Sequence, residues 1–179
     1  MSISPSFSAR NWIASNCVGA RGLYPETVDV VSNFTLMWNF FEGTLCNNRA
    51  SVQTFETLAQ GIAQHQPIRD RLEEAIRFWT SRYCTGSEFK PRFNDLRFRQ
   101  NDRRGHVEAV LRGEKRDPAS QLLAVLIIVY RLRNNLFHGL KKVDGLNDQA
   151  DNLNMACRTL ASVLEASEDR LIQRQAKPN

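Results

Sequence analysis

The stretch "DPASQLLAVLIIVYRLRNNLFHG", Asp117 to Gly139, contains the most apolar run of the chain, and its reading as strand or helix decides the fold. Taken alone, Leu122 to Val129 suits a buried strand, because an unbroken apolar run carries no period that separates the two. The flanks favour a helix. The run continues into "YRLRNNLF" without a turn residue, Asp117 and Pro118 make an N-cap and first-turn pair, and Gly139 is an ordinary helix stop. One helix of about six turns, buried on most sides, is expected. Capping explains Gly139 and one basic residue at its end. It does not explain Arg133, Asn134 and His138 together.

The same periodicity extends outward. In "ETVDVVSNFTLMWNFFEGTLCN", Glu26 to Asn47, the residues Val30, Phe34, Met37, Trp38, Phe41 and Leu45 recur at three- and four-residue steps, which predicts an amphipathic core helix. Ser51 caps a second stripe at Val52, Phe55, Leu58, Ala59 and Ile62, and Pro67 opens a third at Ile68, Leu72, Ile76 and Trp79. "GHVEAVLRGE" allows a short helix. "DQADNLNMACRTLASVLEASEDRLIQR" predicts a long last helix with Leu153, Cys157, Leu160, Leu164 and Leu171 on one side. No segment shows strand alternation. The expected fold is all-α, a bundle of five or six helices over residues 26–174, with an N-terminal arm at 1–25 and a tail at 175–179.

At 179 residues the chain is long enough for one core and one domain. Its 24 Lys and Arg against 19 Asp and Glu give a net charge of +5, which favours an anionic partner without requiring one. The excess is local: "KPRFNDLRFRQNDRRGH", Lys90 to His106, carries six basic and two acidic residues around Phe93 and Phe98. That stretch reads either as a phosphate-contacting surface or as a solvated, partly flexible connection between helices. Cys17, Cys46, Cys84 and Cys157 lie far apart, with no histidine at ligand spacing, so no zinc site and no metal is expected. With no apolar run near the roughly 20 residues that span a bilayer, and no leader pattern, a cytoplasmic protein with reduced thiols and no membrane partner is expected.

On an ideal helix Asn134 and His138, four apart, share a face, whereas Arg133 and His138, five apart, are separated by roughly 140°. A frayed last turn and the reach of Arg133 narrow that gap. The helix C-terminus raises the pKa of His138 and Arg133 with any burial lowers it, leaving a group able to exchange protons near neutrality. An arginine fork beside it suits a phosphodiester whose charge grows as it is attacked. With a ribose 2′-hydroxyl as nucleophile, the chemistry is metal-free RNA cleavage.

The string R-N-N-L-F-H at 133–138 is an instance of the R-x4-H motif of the HEPN superfamily, in which the residue after the arginine is typically polar, as Asn134 is. "RNNLFHGLK" resembles families in which Gly and Lys follow the motif, and "FTLMWNFFEGTL" is similar to the first core helix of some of them, with an acidic residue at Glu42. The resemblance implies a helical bundle carrying its motif on a late, long helix. It also implies a metal-independent endoribonuclease of the toxin–antitoxin or phage-defence kind, leaving 2′,3′-cyclic phosphate and 5′-hydroxyl ends and using no cofactor. Such an enzyme works as a homodimer whose motif helices face each other, so that Arg133 of one subunit acts beside His138 of the other, and a cognate antitoxin protein restrains it.

On this reading Arg133 and His138 are catalytic, Asn134 orients His138, Lys141 and Lys142 hold substrate phosphates, and Glu42 supports Arg133. Each has a plainer reading. Arg133 and His138 can cap the helix, and a lone Glu on an amphipathic helix is commonly solvated. Asn135 is expected to make local hydrogen bonds. His65 and His106 are assigned no partners and no chemistry, and Trp38, Phe40 and Phe41 are assigned to core or dimer interface. The alternative function is a non-catalytic helical module that binds RNA, nucleotide or a protein partner through the same groove.

Overall fold

The computed structural model describes residues 7–17, 22–137 and 143–167. Among these residues seven α-helices carry the fold: α1 (Ala9–Asn16), α2 (Pro25–Leu45), α3 (Val52–Ile62), α4 (Gln66–Tyr83), α5 (Arg104–Leu111), α6 (Pro118–Phe137) and α7 (Ala150–Glu165). The protein is an all-α bundle. Its six main helices are those the periodicity requires, and the seventh, α1, falls in the stretch expected to be a loose arm. Ser8 caps α1 by accepting from the Asn11 amide at 3.3 Å, yet no residue of α1 is buried.

The remaining helices form where caps and apolar stripes coincide. Pro25 sits in the first turn of α2, and Phe34, Trp38, Phe41 and Leu45 make its buried stripe. Ser51 Oγ accepts from the Thr54 amide at 3.1 Å to start α3, and Asp117 Oδ1 accepts from the Ser120 amide at 2.8 Å to start α6. Helix α6 is the axis of the bundle, with α3, α4, α5 and α7 packed against it. All residues from Leu122 to Val129 are consequently buried, which is why the run lacks any polar period. The expected continuation of the last helix to Leu171 and Arg174, and the tail at 175–179, lie outside the described residues.

Two expectations need correction. First, a hairpin follows α4: β1 (Cys84–Thr85) pairs antiparallel with β2 (Glu88–Phe89), Cys84 opposite Phe89 and Thr85 opposite Glu88. Gly86, at φ +60°, supplies the left-handed turn, and strands of two residues are too short to show alternation. Second, Lys90 to His106 is not a flexible connection. Pro91–Leu96 forms a 3-10 turn that buries Phe93 and Leu96, and Phe93 packs against Tyr83, Phe89 and Phe98. Arg103 is held by both carboxylate oxygens of Glu56 at 2.6 and 2.9 Å, and Arg104 by Glu108 at 2.7 Å. Arg92, Arg97 and Arg99 remain exposed.

Candidate functional site

At its last two turns α6 becomes polar, and its side chains divide between two neighbours. One face looks toward α2. There the Arg133 guanidinium lies over the Trp38 ring at 5.6 Å and over Phe137, one turn further along its own helix, at 5.2 Å. Its Nη1 donates to Asn134 Oδ1 at 3.1 Å, and its Nη2 is 3.6 Å from Glu42 Oε2. Glu42 is itself fixed: Trp38 Nε1 donates to Oε2 at 2.7 Å, and the Ala50 amide donates to Oε1 at 3.4 Å. The Arg133 side chain keeps 29% of its surface, so the guanidinium is clasped at its edges without being closed off.

The opposite face looks toward the 3-10 turn. Arg131, 2% exposed, donates from Nε to the Leu96 carbonyl at 3.0 Å, and its Nη1 lies 3.1 Å from Asp102 Oδ2, close enough for an ion pair but outside hydrogen-bond geometry. Burial pulls the Arg131 pKa below the usual arginine value, and the Asp102 carboxylate opposes that shift. Asn135 Nδ2 donates to the carbonyls of Asp95 and Leu96 at 2.9 and 3.2 Å. Arg131 and Asn135 therefore fasten the basic segment to the helix that presents Arg133.

The structure thus brings together Arg133, Asn134 and Glu42. Asn134 is buried and turns its amide oxygen to Arg133, a partner the spacing argument had given to His138 instead. Glu42 is half-buried and engaged, not solvated. Asn135, expected to bond locally, instead bonds across the fold to the Asp95 and Leu96 carbonyls, 40 and 39 residues away in sequence. His138, Lys141 and Lys142 lie outside the described residues, as does Gly139. His106 does have partners: its Nε2 is 2.9 Å from the Ser120 carbonyl and its Nδ1 3.4 Å from Lys115 Nζ, which ties α5 to the start of α6. His65 is exposed and precedes α4.

Two participants were not read as part of the site: Trp38 was assigned only to packing, and Phe137 was assigned no role. Trp38 is core, but it also carries Arg133 and donates to Glu42, and Phe137 completes the aromatic sandwich. The signal was present as spacing, since Trp38 and Glu42, and likewise Arg133 and Phe137, are four residues apart on their helices. Phe41 is buried in the core and Phe40 is exposed. Close to Glu42, the Cys46 thiol is pushed up to about 12 by burial, with the negative charge of Glu42 adding to the shift. It therefore stays protonated near neutral pH and is not an activated nucleophile.

Among the described residues no group of three or more His, Cys, Asp or Glu is placed to hold a metal ion, and no helix is long and apolar enough to cross a membrane. No family model matches the chain, and no curated protein or solved structure matches it significantly.

Proposed function

We propose that the chain is a metal-independent endoribonuclease of the HEPN type, acting in toxin–antitoxin or phage-defence biology and restrained by a cognate antitoxin protein. The observation that supports this most is the presentation of Arg133. A guanidinium held by Trp38, Phe137, Asn134 and Glu42 at the end of a packed helix, yet partly open to solvent, is pre-organised to meet an anion. In the reaction the 2′-oxygen of the ribose attacks the adjacent phosphorus and the bond to the 5′-oxygen breaks, leaving a 2′,3′-cyclic phosphate and a 5′-hydroxyl. His138 exchanges the protons, Arg133 meets the charge gathering on the phosphorane oxygens, and Glu42 aims Arg133. Lys141 and Lys142 bind flanking phosphates.

One observation favours the second reading, a non-catalytic module binding RNA, nucleotide or a protein partner. Glu42 already stands beside Arg133, as it would if the pair only fastened α2 to α6.

Incubation of purified protein with total RNA separates the two. Cleavage in excess EDTA is expected, because the reaction uses side chains alone. His138→Ala and Arg133→Ala should each lower the rate by ~10²–10⁴ while leaving the melting curve in place, and Arg133→Lys should rescue poorly because an ammonium lacks the fork. Full activity in both alanine variants, or activity lost to EDTA and restored by magnesium, would defeat the nuclease reading. Expression of the wild type should slow growth, and the binding module should not.

A further inference from the structure

Trp38 touches both members of the Arg133–Glu42 pair, one with the face of its ring and the other with its edge. The Arg133 guanidinium lies over the face of the indole, 5.6 Å from the ring centre. The indole N–H leaves from the edge, and Nε1 donates to Glu42 Oε2 at 2.7 Å. A carboxylate held by that edge sits near the plane of the ring, whereas a guanidinium over the face sits above it. The two charges are therefore offset for as long as both contacts persist. Arg133 Nη2 is 3.6 Å from Glu42 Oε2, beyond the roughly 3.2 Å limit of an N–H···O hydrogen bond and well beyond the ~2.8 Å of a charge-assisted one. The other carboxylate oxygen, Oε1, accepts from the Ala50 amide at 3.4 Å, which restrains it from the turn before α3. Packing alone does not fix Glu42, whose side chain keeps 22% of its surface.

Offset matters because a closed, bidentate arginine–carboxylate pair would occupy the same fork that a phosphate needs. An indole N–H is a donor only, so its bond to Glu42 draws the carboxylate in one direction, away from the guanidinium. We infer that Trp38 is a positioning residue for the cleavage reaction: its indole N–H holds the Glu42 carboxylate back from Arg133, so that a nearby negative charge aims the guanidinium without filling its fork. The loose ion pair is then a device built into α2 and not a by-product of joining α2 to α6. This takes the role of Arg133 from the nuclease reading, but the state of the Arg133–Glu42 pair can be measured without RNA.

Trp38→Phe removes the N–H. Because Trp38 is 3% exposed and packs on Phe41, Phe55 and Tyr130, a second variant keeps the shape of the indole: benzothienylalanine at position 38, in which sulfur replaces the N–H. Labelling of Arg133 by phenylglyoxal, read by peptide mass spectrometry, reports how open the guanidinium is, and RNA cleavage reports its use. In both variants Glu42 should close on Arg133 and slow labelling and kcat about tenfold, with the melting temperature of the benzothienylalanine protein near that of the wild type. Glu42→Gln, added to either variant, should recover most of the labelling and part of the cleavage, because an amide carries no charge to hold the fork. Unchanged labelling in the folded benzothienylalanine protein, or unchanged cleavage by it, would overturn the inference. So would a loss that Glu42→Gln leaves in place, since Trp38 would then act through packing alone. A wild-type protein that cuts no RNA yet gives the expected labelling series would remove the nuclease reading and leave the restraint of Glu42 by Trp38 standing.

Discussion

Two residues before the motif arginine, Arg131 carries a charge buried in the fold. Arg133 keeps solvent, but Arg131 is fully enclosed, and its counter-charge comes from Asp102 alone among the described carboxylates in ion-pair contact with it. Asp102 has a second task, since its Oδ2 accepts from the Arg99 amide at 2.6 Å and so closes the loop before α5. Asp102→Ala would leave a guanidinium buried and uncompensated, a change that typically costs ~3–5 kcal/mol. Urea unfolding should therefore show a large loss for Asp102→Ala. Arg104→Ala, which breaks an exposed pair, should lose under about 1 kcal/mol. Pairing Asp102→Ala with Arg131→Met should recover much of the loss, because no charge is then left stranded. Comparable midpoints for Asp102→Ala and Arg104→Ala would show that the buried pair does not hold this segment. None of this was legible in the sequence, where Arg131 is one of several basic residues and Asp102 sits in a charged run 29 positions earlier.

At the scale of elements, what could be read were features carried within a helix. Caps at Ser51 and Asp117 and apolar stripes at three- and four-residue steps are local, and they place α2, α3, α4 and α6 to within a few residues. The hairpin at Gly86 and the packed turn at Phe93 depend on burial against Tyr83 and α6, which no short window contains. The start of α6 gives a direct test of a local signal. Hydrogen bonds from the Ser120 amide and hydroxyl hold the Asp117 carboxyl below its ordinary range. A depressed folded pKa means that the stabilisation is fully present above the ordinary aspartate pKa of 3.8 and is lost as the pH falls through the folded value. Asp117→Ala should thus lower stability by about 1 kcal/mol at pH 7, with the difference from wild type shrinking in acid. Thermal melts at neutral and acid pH measure it. A deficit unchanged below pH 3 would assign the effect to the lost side chain's packing, since only the ionised carboxylate is sensitive to that change.

For the whole molecule, the burial of α6 restricts how two copies can meet. Of the motif helix, which is expected to meet its copy near a two-fold axis, Leu122 to Val129 are already enclosed by the protomer's own helices and can make no contact with a second copy. Outside that run, the most exposed large apolar side chain on α6 is Phe137, 49% exposed beside Arg133 at the helix end. A second apolar feature competes with it: Leu36 and Phe40, 69% and 54% exposed, lie one turn apart on the side of α2 opposite Trp38. A dimer built on Leu36 and Phe40 would hold the two arginines apart, whereas one built at the helix ends would bring them together. Light scattering is expected to report twice the 20.5 kDa chain mass, and to do so still in the Leu36→Glu/Phe40→Glu variant. Mixing inactive Arg133→Ala and His138→Ala proteins should then restore part of the RNA cleavage, because one of the two Arg133–His138 pairs in the shared cleft of each mixed dimer is intact, with Arg133 from one subunit and His138 from the other. A protein that is monomeric yet cleaves would refute the shared cleft. So would a dimer abolished by the α2 substitutions while cleavage persists, because each chain would then carry its own complete site.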